Sequence, residues 1–470
     1  MLPLRARTGV AILAPGLLVA AGLLAAPASA AATWTVCASG CDFTTIGGAV
    51  GAAAAGDTVS VQGGTYAESV AVTKTLRIQA TVPGTTVLPG PSYGDAGFRL
   101  QADDVTISGF TIGDRSSMSQ TVGIDVAGTS GAQVVDDIIV NNQRGVSLAG
   151  ASDVTVAGTR FSDNNGSGPD DNAALWGDAV TGITVTHSTF TGHTNTAINL
   201  AGSSHIAISD STFDDNGNVA VVWDDSDVTV SGNTGTLMRG SGVYLNHSSD
   251  VTISGNDLSA AGGTSAVSVN DVDGSNTAVT VTGNVFRDFA RGVGIASGAM
   301  GDTLVAHDNA FLTTSYGVRN AGTVAVDARH NWWGDASGPA DPTAGDGSTP
   351  DTSSGSGVLA EGPVDYTSWC STASCLAPPV HTRLTRRVKV QRDGDRVLVI
   401  RVVATGGSVT GGILRVRHAN GTRLAVFSLV RPQVAVTLGH LRRGWHSYRL
   451  VFTGTATAAR AVRVVRVHVR

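Results

Sequence analysis

Beyond residue 30 the sequence has no apolar run long enough to cross a bilayer, so no membrane-spanning helix is expected there. Cysteine is scarce. The four fall in two close pairs, Cys37 with Cys41 and Cys370 with Cys375, and no histidine stands near either at ligand spacing. That sets zinc aside and leaves a local disulfide in each pair, the usual outcome in an oxidising compartment. Charge is missing one sign at a time. Residues 32–380 hold 11 Lys and Arg against 35 Asp and Glu, a net of −24, while residues 381–470 hold 18 against 2, a net of +16. So sharp a reversal, next to "CLAPPV", marks a domain boundary.

What is abundant is glycine, 60 of 470 residues. It is interleaved with Val, Ile and Thr, which argues against both collagen and a disordered linker. The first thirty residues carry two arginines, then an apolar stretch, then Ala28-Ser29-Ala30. This is the pattern of a signal peptide cleaved before Ala31, and predicts a secreted, extracellular protein without a membrane span.

One phrase recurs. "DVTISGN" at 250–256 has near copies at 104, 153, 227 and 278. Aligning them brings Phe110, Asp137, Thr159, Ser188, Ser211, Asn233, Asn256, Asn284, Asn309 and Asn331 to one position, at intervals of 22 to 29 residues. An alternating run precedes each position, and an apolar residue usually returns two residues later, as at Phe161, Phe190, Phe213 and Phe286. A second alternating run follows, such as "AINL" at 197 or "GVYL" at 242. A unit of two or three short strands cannot bury its apolar face alone. Stacked copies can, with each strand pairing to its equivalent one turn away and the Asn side chains bonding up and down a corner. The spacing therefore predicts a right-handed parallel β-helix of about ten turns or more. "DFTTIGGAVGAAAAGD" reads as a Thr-capped helix that lids the first turn, and "HNWWGDASGP" as the start of a wrap over the last.

The repeated xVTIxGN with its second strand, the opening "AGDTVSVQGGTYAE" and the closing "NWWGDASGP" resemble secreted bacterial proteins of the pectin-lyase-like β-helix superfamily. The resemblance implies the fold over about residues 33–370 and a carbohydrate ligand. It brings no catalytic set. The "GHG" of polygalacturonases is absent, as are the "WIDH" and the Arg-x-Pro-x-x-Arg of pectate lyases. "GTYAE" is similar to the start of pectin methylesterases, but their Gln and Asp motifs do not follow.

Site candidates come from polar residues on successive turns. Asp224, Asp225 and Asp227 are followed one turn on by Asn246, His247 and Asp250, then by Asn270, Asp271 and Asp273. The catalytic candidates are His247, Asp224 and Asp225, a base with carboxylates able to flank a glycosidic bond. Asp224, Asp227 and Asp271 are candidate oxygen ligands for Ca²⁺, and no other cofactor is implied. Against this stands the tendency of Asp and Asn simply to turn the chain at corners. His193 with Arg239 and Tyr244 is a second candidate base and cation set. The outward positions of the second run are expected to be Asp125, Ser147, Asn199, Val222, Tyr244, Ser268, Gly294 and Arg319, of which Tyr244, Asn199 and Arg319 are candidate substrate contacts. Trp223 is expected to point inward. The first run turns out a row of Thr and Ser, an array suited to ordered water or a flat partner, or merely to an exposed strand.

Residues 385–470 alternate with period two between turns such as Asp393-Gly394 and Asn420-Gly421, which predicts a small Ig-like β-sandwich. Its ending is similar to bacterial Ig-like repeats. The expected layout is a signal peptide over 1–30, the β-helix over 31–376, a linker over 377–384 and the basic module over 385–470. The basic module suits an anchor for acidic polymers, or an electrostatic partner for its own acidic solenoid. The whole chain predicts a monomer that binds or processes extracellular polysaccharide or a cell-wall polymer, as a lyase or hydrolase if it is an enzyme, without a nucleic-acid partner. The alternative is a non-catalytic adhesive or surface-structural protein.

Overall fold

The computed structural model describes residues 31–82, 84–88, 95–113, 122–165 and 173–373, then 382–390, 396–404, 407–408, 413–418, 423–428, 433–439, 441, 443–452 and 461–469. The expected signal peptide, the turn residues Asp393, Gly394, Asn420 and Gly421, and Cys375 lie outside them.

Residues 33–365 form a parallel β-solenoid of about eleven turns. A complete turn gives one strand to each of three sheets, and strands at the ends bring the first and third to fourteen against eleven in the second among the described residues. We call them first, second and third in chain order within a turn. The turn at 204–223 is typical: Ser204–Ser209 in the first sheet, Thr212–Asp214 in the second and Asn218–Trp223 in the third. Along each strand alternate side chains point inward. The first sheet buries Ile206 and Ile208, pairing them with Val228 and Val230 of the next turn, and all four are fully buried. The second sheet carries the phenylalanine stack, with Phe190 lying 4.8 Å from both Phe161 and Phe213 and parallel to each. Gly235 interrupts that column. A side chain there would collide with Leu258, and Met238 fills the space.

All three corners carry polar ladders. At the first, each ladder side chain accepts the backbone N–H of the turn before. Ser211 N–H donates to Asn233 Oδ1 (3.0 Å), Asn233 to Asn256 (3.0 Å), Asn256 to Asn284 (2.9 Å), Asn284 to Asn309 (3.0 Å) and Asn309 to Asn331 (2.8 Å). The expected ladder is present at every one of its positions, from Phe110, whose N–H donates to Asp137, onward. The residue before each rung is left-handed: Asp210 at φ 50°, Gly255 at 64°, Asp308 at 58°. Gly and Asp tolerate that conformation best, which explains the "GN" of the repeat and much of the aspartate content.

The lid is the helix Ile46–Ala52. Thr45 caps it by accepting from Gly48 N–H, while both carboxylate oxygens of Glu68 accept from Ile46 and Gly47 N–H at 2.9 Å. The Glu of "GTYAE" is thus the clasp of the lid. Cys37 and Cys41 form the expected disulfide, and Cys370 is also disulfide-bonded. At the far end Trp333 and Tyr366 are fully buried, and Tyr366 Oη donates to the buried Asp341.

The C-terminal residues form two four-stranded antiparallel sheets, one from Thr382–Val390, Arg396–Ala404, Gly407–Ser408 and Gln433–Gly439, the other from Ile413–His418, Arg423–Ser428, Gly444–Phe452 and Ala461–Val469.

Candidate functional site

The third sheet turns one continuous column outward. Asp125, Ser147, Trp176, Asn199, Val221, Tyr244, Ser268, Gly294 and Arg319 follow one another in register. Adjacent rungs lie ~4.8 Å apart. The column departs from the expected one at two turns: Trp176, which the expected column lacked, stands between Ser147 and Asn199, and Val221 takes the place of Val222. Val222 is fully buried, and Val221 and Trp223 face outward. The strand reaches its outward position 10 residues after Ser211 but 11 after Ser188 and Asn233. A slip of one residue exchanges the two faces of a strand, so Trp223 leaves the core and stands partly exposed, one rung and two residues diagonally from Tyr244.

The third corner follows directly. Asp224 and His247, at φ 57° and 45°, are equivalent left-handed residues of neighbouring turns. Their backbones place the two side chains one above the other, with His247 Nδ1 2.6 Å from Asp224 Oδ1 and about half of each side chain exposed. The carboxylate can only accept, so Nδ1 carries a proton and donates it to Asp224. In these two turns the corner uses two residues. In the next it widens into a loop after Asn270. The buried Asn246 fastens that loop, accepting from Val272 N–H at 2.7 Å and donating to Asp273 at 3.5 Å. Gly274, at φ +145°, lies against the His247 ring so closely that a Cβ would fall 2.7 Å from Cδ2. Burial, and then the charge of Asp271, push the Tyr244 hydroxyl above its ordinary pKa. Trp223, Asp224, Tyr244, His247 and Asp271 therefore share one rim over three turns.

The remaining candidates go elsewhere. Asp225 is buried in the third-corner ladder, where Val180 N–H donates to Ser203, Ser203 N–H to Asp225, Asp225 N–H to Ser248 and Ser248 N–H to Asn276. Burial raises its pKa to about 7, against the opposing pull of the Ser203 and Trp223 N–H donors. Asp227 is the second residue of the first-sheet strand Ser226–Ser231 and lies 3.9 Å from His205. Among the described residues no group of three His, Cys, Asp or Glu side chains converges to hold a metal ion, so the three expected ligands do not form one set. His193 is fully buried in the second-corner ladder, where Asn216 Oδ1 lies 2.8 Å from Nδ1 and Asn164 Nδ2 lies 3.4 Å from Nε2. Burial drives its pKa down to about 4, so it stays a neutral rung. Arg239 pairs with Asp215 at 3.3 Å. Asn199 and Arg319 stand on the Tyr244 column but two and three rungs from it.

Two features of this face carry no motif of their own. Arg144 lies 3.9 Å over the Trp176 ring, and Arg319 lies 5.4 Å from the Tyr316 ring and 2.9 Å from Glu361. Arg144 with Trp176, and Arg319 with Glu361, join neighbouring rungs, which only the register brings together.

A family model described as the right handed beta helix region matches residues 172–332, about a third of the chain. No curated protein matches. Among solved structures, the pectate lyase Pel9A is similar at 14% identity, over 64% of this chain and 80% of that one, with a TM-score of 0.43. XylC in complex with xylose aligns at 9% identity over 92% and 100% of the two chains, with a TM-score of 0.45. The tailspike protein of E. coli bacteriophage HK620, in complex with a pentasaccharide, aligns at 12% identity over 88% and 85%, with a TM-score of 0.39. These are likenesses of fold.

Proposed function

We propose that the outer face of the third sheet binds an extracellular polysaccharide. The observation that carries this reading is the placement of Trp223 and Tyr244, partly exposed and diagonal to one another, beside a rim of Asp224, His247 and Asp271. Aromatic side chains offer sugars an apolar platform while neighbouring polar groups fix orientation. Asn199 and Asn270 supply amides beside that platform, and Arg319 would lie at the end of a longer chain. Residues 1–30 act in this reading as a secretion signal, and residues 385–470 as an Ig-like module attached to the binding wall.

The Asp224–His247 pair supports a second reading, that the face also cleaves what it binds. His247 Nε2 is the base such a step needs, oriented by the carboxylate on Nδ1. Binding and cleavage separate experimentally. The purified chain is offered a panel of neutral and acidic polysaccharides, with and without Ca²⁺, and retention, new reducing ends and unsaturated-product absorbance are followed. Trp223→Ala and Tyr244→Ala are each expected to weaken retention about tenfold, and His247→Gln to weaken it less. If cleavage occurs, His247→Gln removes it. Retention without cleavage in the native chain leaves a binding protein, and absence of both turns attention to protein partners.

A further inference from the structure

Loop 271–275, where the third corner widens, is held at three points. Val272 N–H donates to Asn246 at 2.7 Å, Asn276 Nδ2 donates to Asn270 O at 2.8 Å, and Gly274 lies against the His247 ring. The loop follows the strand next to that of Tyr244 and exposes Asp271, Val272 and Asp273. Asp271 is near enough to act on the Tyr244 hydroxyl, whose pKa burial first, and then this charge, push up. Val272 is 62% exposed, the most exposed large apolar side chain among the described residues. Asp178 is exposed in the outward column of Trp223, two rungs before it, with the small Ala201 between them.

Cations are scarce on this part of the wall. Residues 173–274 supply five strands of the third sheet and contain 11 Asp, no Glu or Lys and one Arg, a formal net of −10 with His neutral. That arginine, Arg239, pairs with Asp215 at 3.3 Å. Asp224 is engaged with His247, and among the described residues no cation pairs with Asp178, Asp271 or Asp273. Arg144 over Trp176 stands before this stretch. Arg319 beside Glu361 stands after it, as does Arg291, whose stem lies against Gly294. Gly294 is two rungs from Tyr244, ~10 Å, about a Debye length at ~0.1 M salt. An ionised carboxylate only accepts hydrogen bonds, so it suits the hydroxyl donors of an uncharged sugar and repels a second carboxylate.

Building on the reading of the third sheet as a glycan-binding face, we propose that Asp178 and loop 271–275 make that face selective. It takes uncharged polysaccharide and turns away polyuronates, and Val272 adds an apolar contact to the sugar beside Tyr244.

The test uses the full chain, in chelator-treated buffer, with two matched pairs of polymers. These are polygalacturonate with its fully methyl-esterified form, and carboxymethyl cellulose with hydroxyethyl cellulose. Binding at the wall is the part of retention that Tyr244→Ala removes, so whatever the basic C-terminal residues hold is subtracted. In each pair the neutral member is expected to be held at least tenfold more tightly, and the gap should narrow as salt screens the repulsion. Asp271→Asn combined with Asp273→Asn should reduce the ratio of the two affinities at least threefold. Val272→Ser should weaken the neutral member about threefold through lost apolar contact. Equal or tighter binding of the charged member at the wall would overturn the proposal, as would a ratio that the double variant leaves unchanged. So would charged-polymer binding at the wall that appears with Ca²⁺, because the carboxylates would then accept polyuronates through a bridging cation. If neutral and charged polymers are held alike, the glycan-binding reading stands and the loop's role falls. If neither member of either pair is held at the wall, both fall together.

Discussion

The first and third sheets are built from the same turns, in the same parallel pairing, over the same core, yet their outer faces differ in kind. Between Thr155 and Thr282 the two main outward columns of the first sheet hold twelve residues, ten of them Thr or Ser and the others Ala157 and Ala207. Over the same turns the third sheet turns out Trp176, Asn199, Val221, Trp223, Tyr244 and Ser268, bordered by a histidine–aspartate pair and a widened corner. The inward beat fixes the fold for both, so it does not decide what stands outside. Threonine favours exposed strands, and that alone accounts for the first face. Aromatic residues also favour strands, but strand propensity supplies no reason for a left-handed His247 held by Asp224, nor for a loop fastened over it by Asn246.

The largest effect should come from what the faces share. Phe190 stacks between Phe161 and Phe213, so Phe190→Ala is expected to cost ~3–5 kcal/mol of stability, read by denaturant unfolding, and to lose both faces together. Next comes the corner chemistry, which should alter stability and spare ligand binding. Burial raises Asp137 to about 8 from 3.8, so the native state favours its protonated form. That stability is present below pH 3.8 and is lost as pH rises through 8. His193 runs the other way. Held at about 4 rather than 6.5, it favours the neutral form, with stability present above 6.5 and lost as pH falls through 4. Asp137→Asn should remove the alkaline decline and His193→Asn the acid one, each on the order of a few kcal/mol at the extreme. Asparagine serves either rung, as Asn233 does where its Nδ2 donates to Ile208 O at 3.1 Å. Unfolding free energies from pH 4 to 9 that keep their slopes in the variants would refute this.

The same corners show how far the sequence could be read. The period-two core, the first-corner ladder and the lid helix were legible because each repeats a residue type or carries a local cap. The first-corner ladder is mostly Asn and announces itself. The third-corner ladder runs through Ser203, Asp225, Ser248 and Asn276, and the second-corner ladder includes Asn142, Asn164, His193 and Asn216, so Asp225 and His193 read as site candidates. Their one local signal, at every named rung but Asn276, is a polar residue just after a left-handed Asp, Asn, His or Gly. Asp224, Asp225 and Asp227 stand within four residues of sequence yet point to a rim, a ladder and another sheet. Trp223 was misplaced by one residue of turn length. The His247–Asp224 contact joins residues 23 apart and required the register itself.

The contrast between the faces is sharpened by removing one aromatic at a time. Trp223→Ala and Tyr244→Ala should each weaken glycan binding about tenfold, a loss of ~1–2 kcal/mol, with unfolding free energy little changed. The smallest effect is expected on the opposite wall. Thr184 is exposed in the middle of the hydroxyl face, paired between Thr155 and Ala207. Its hydroxyl has water to replace any bond it makes, and alanine already stands next to it in the column, so Thr184→Ala should change stability by less than ~0.5 kcal/mol and glycan affinity not at all. Parallel titrations of the native chain, Thr184→Ala and Tyr244→Ala with one polysaccharide decide the matter. A tenfold loss in Thr184→Ala with Tyr244→Ala unaffected would move the ligand to the first sheet, and the aromatic wall would then be only a sheet face rich in strand-forming residues.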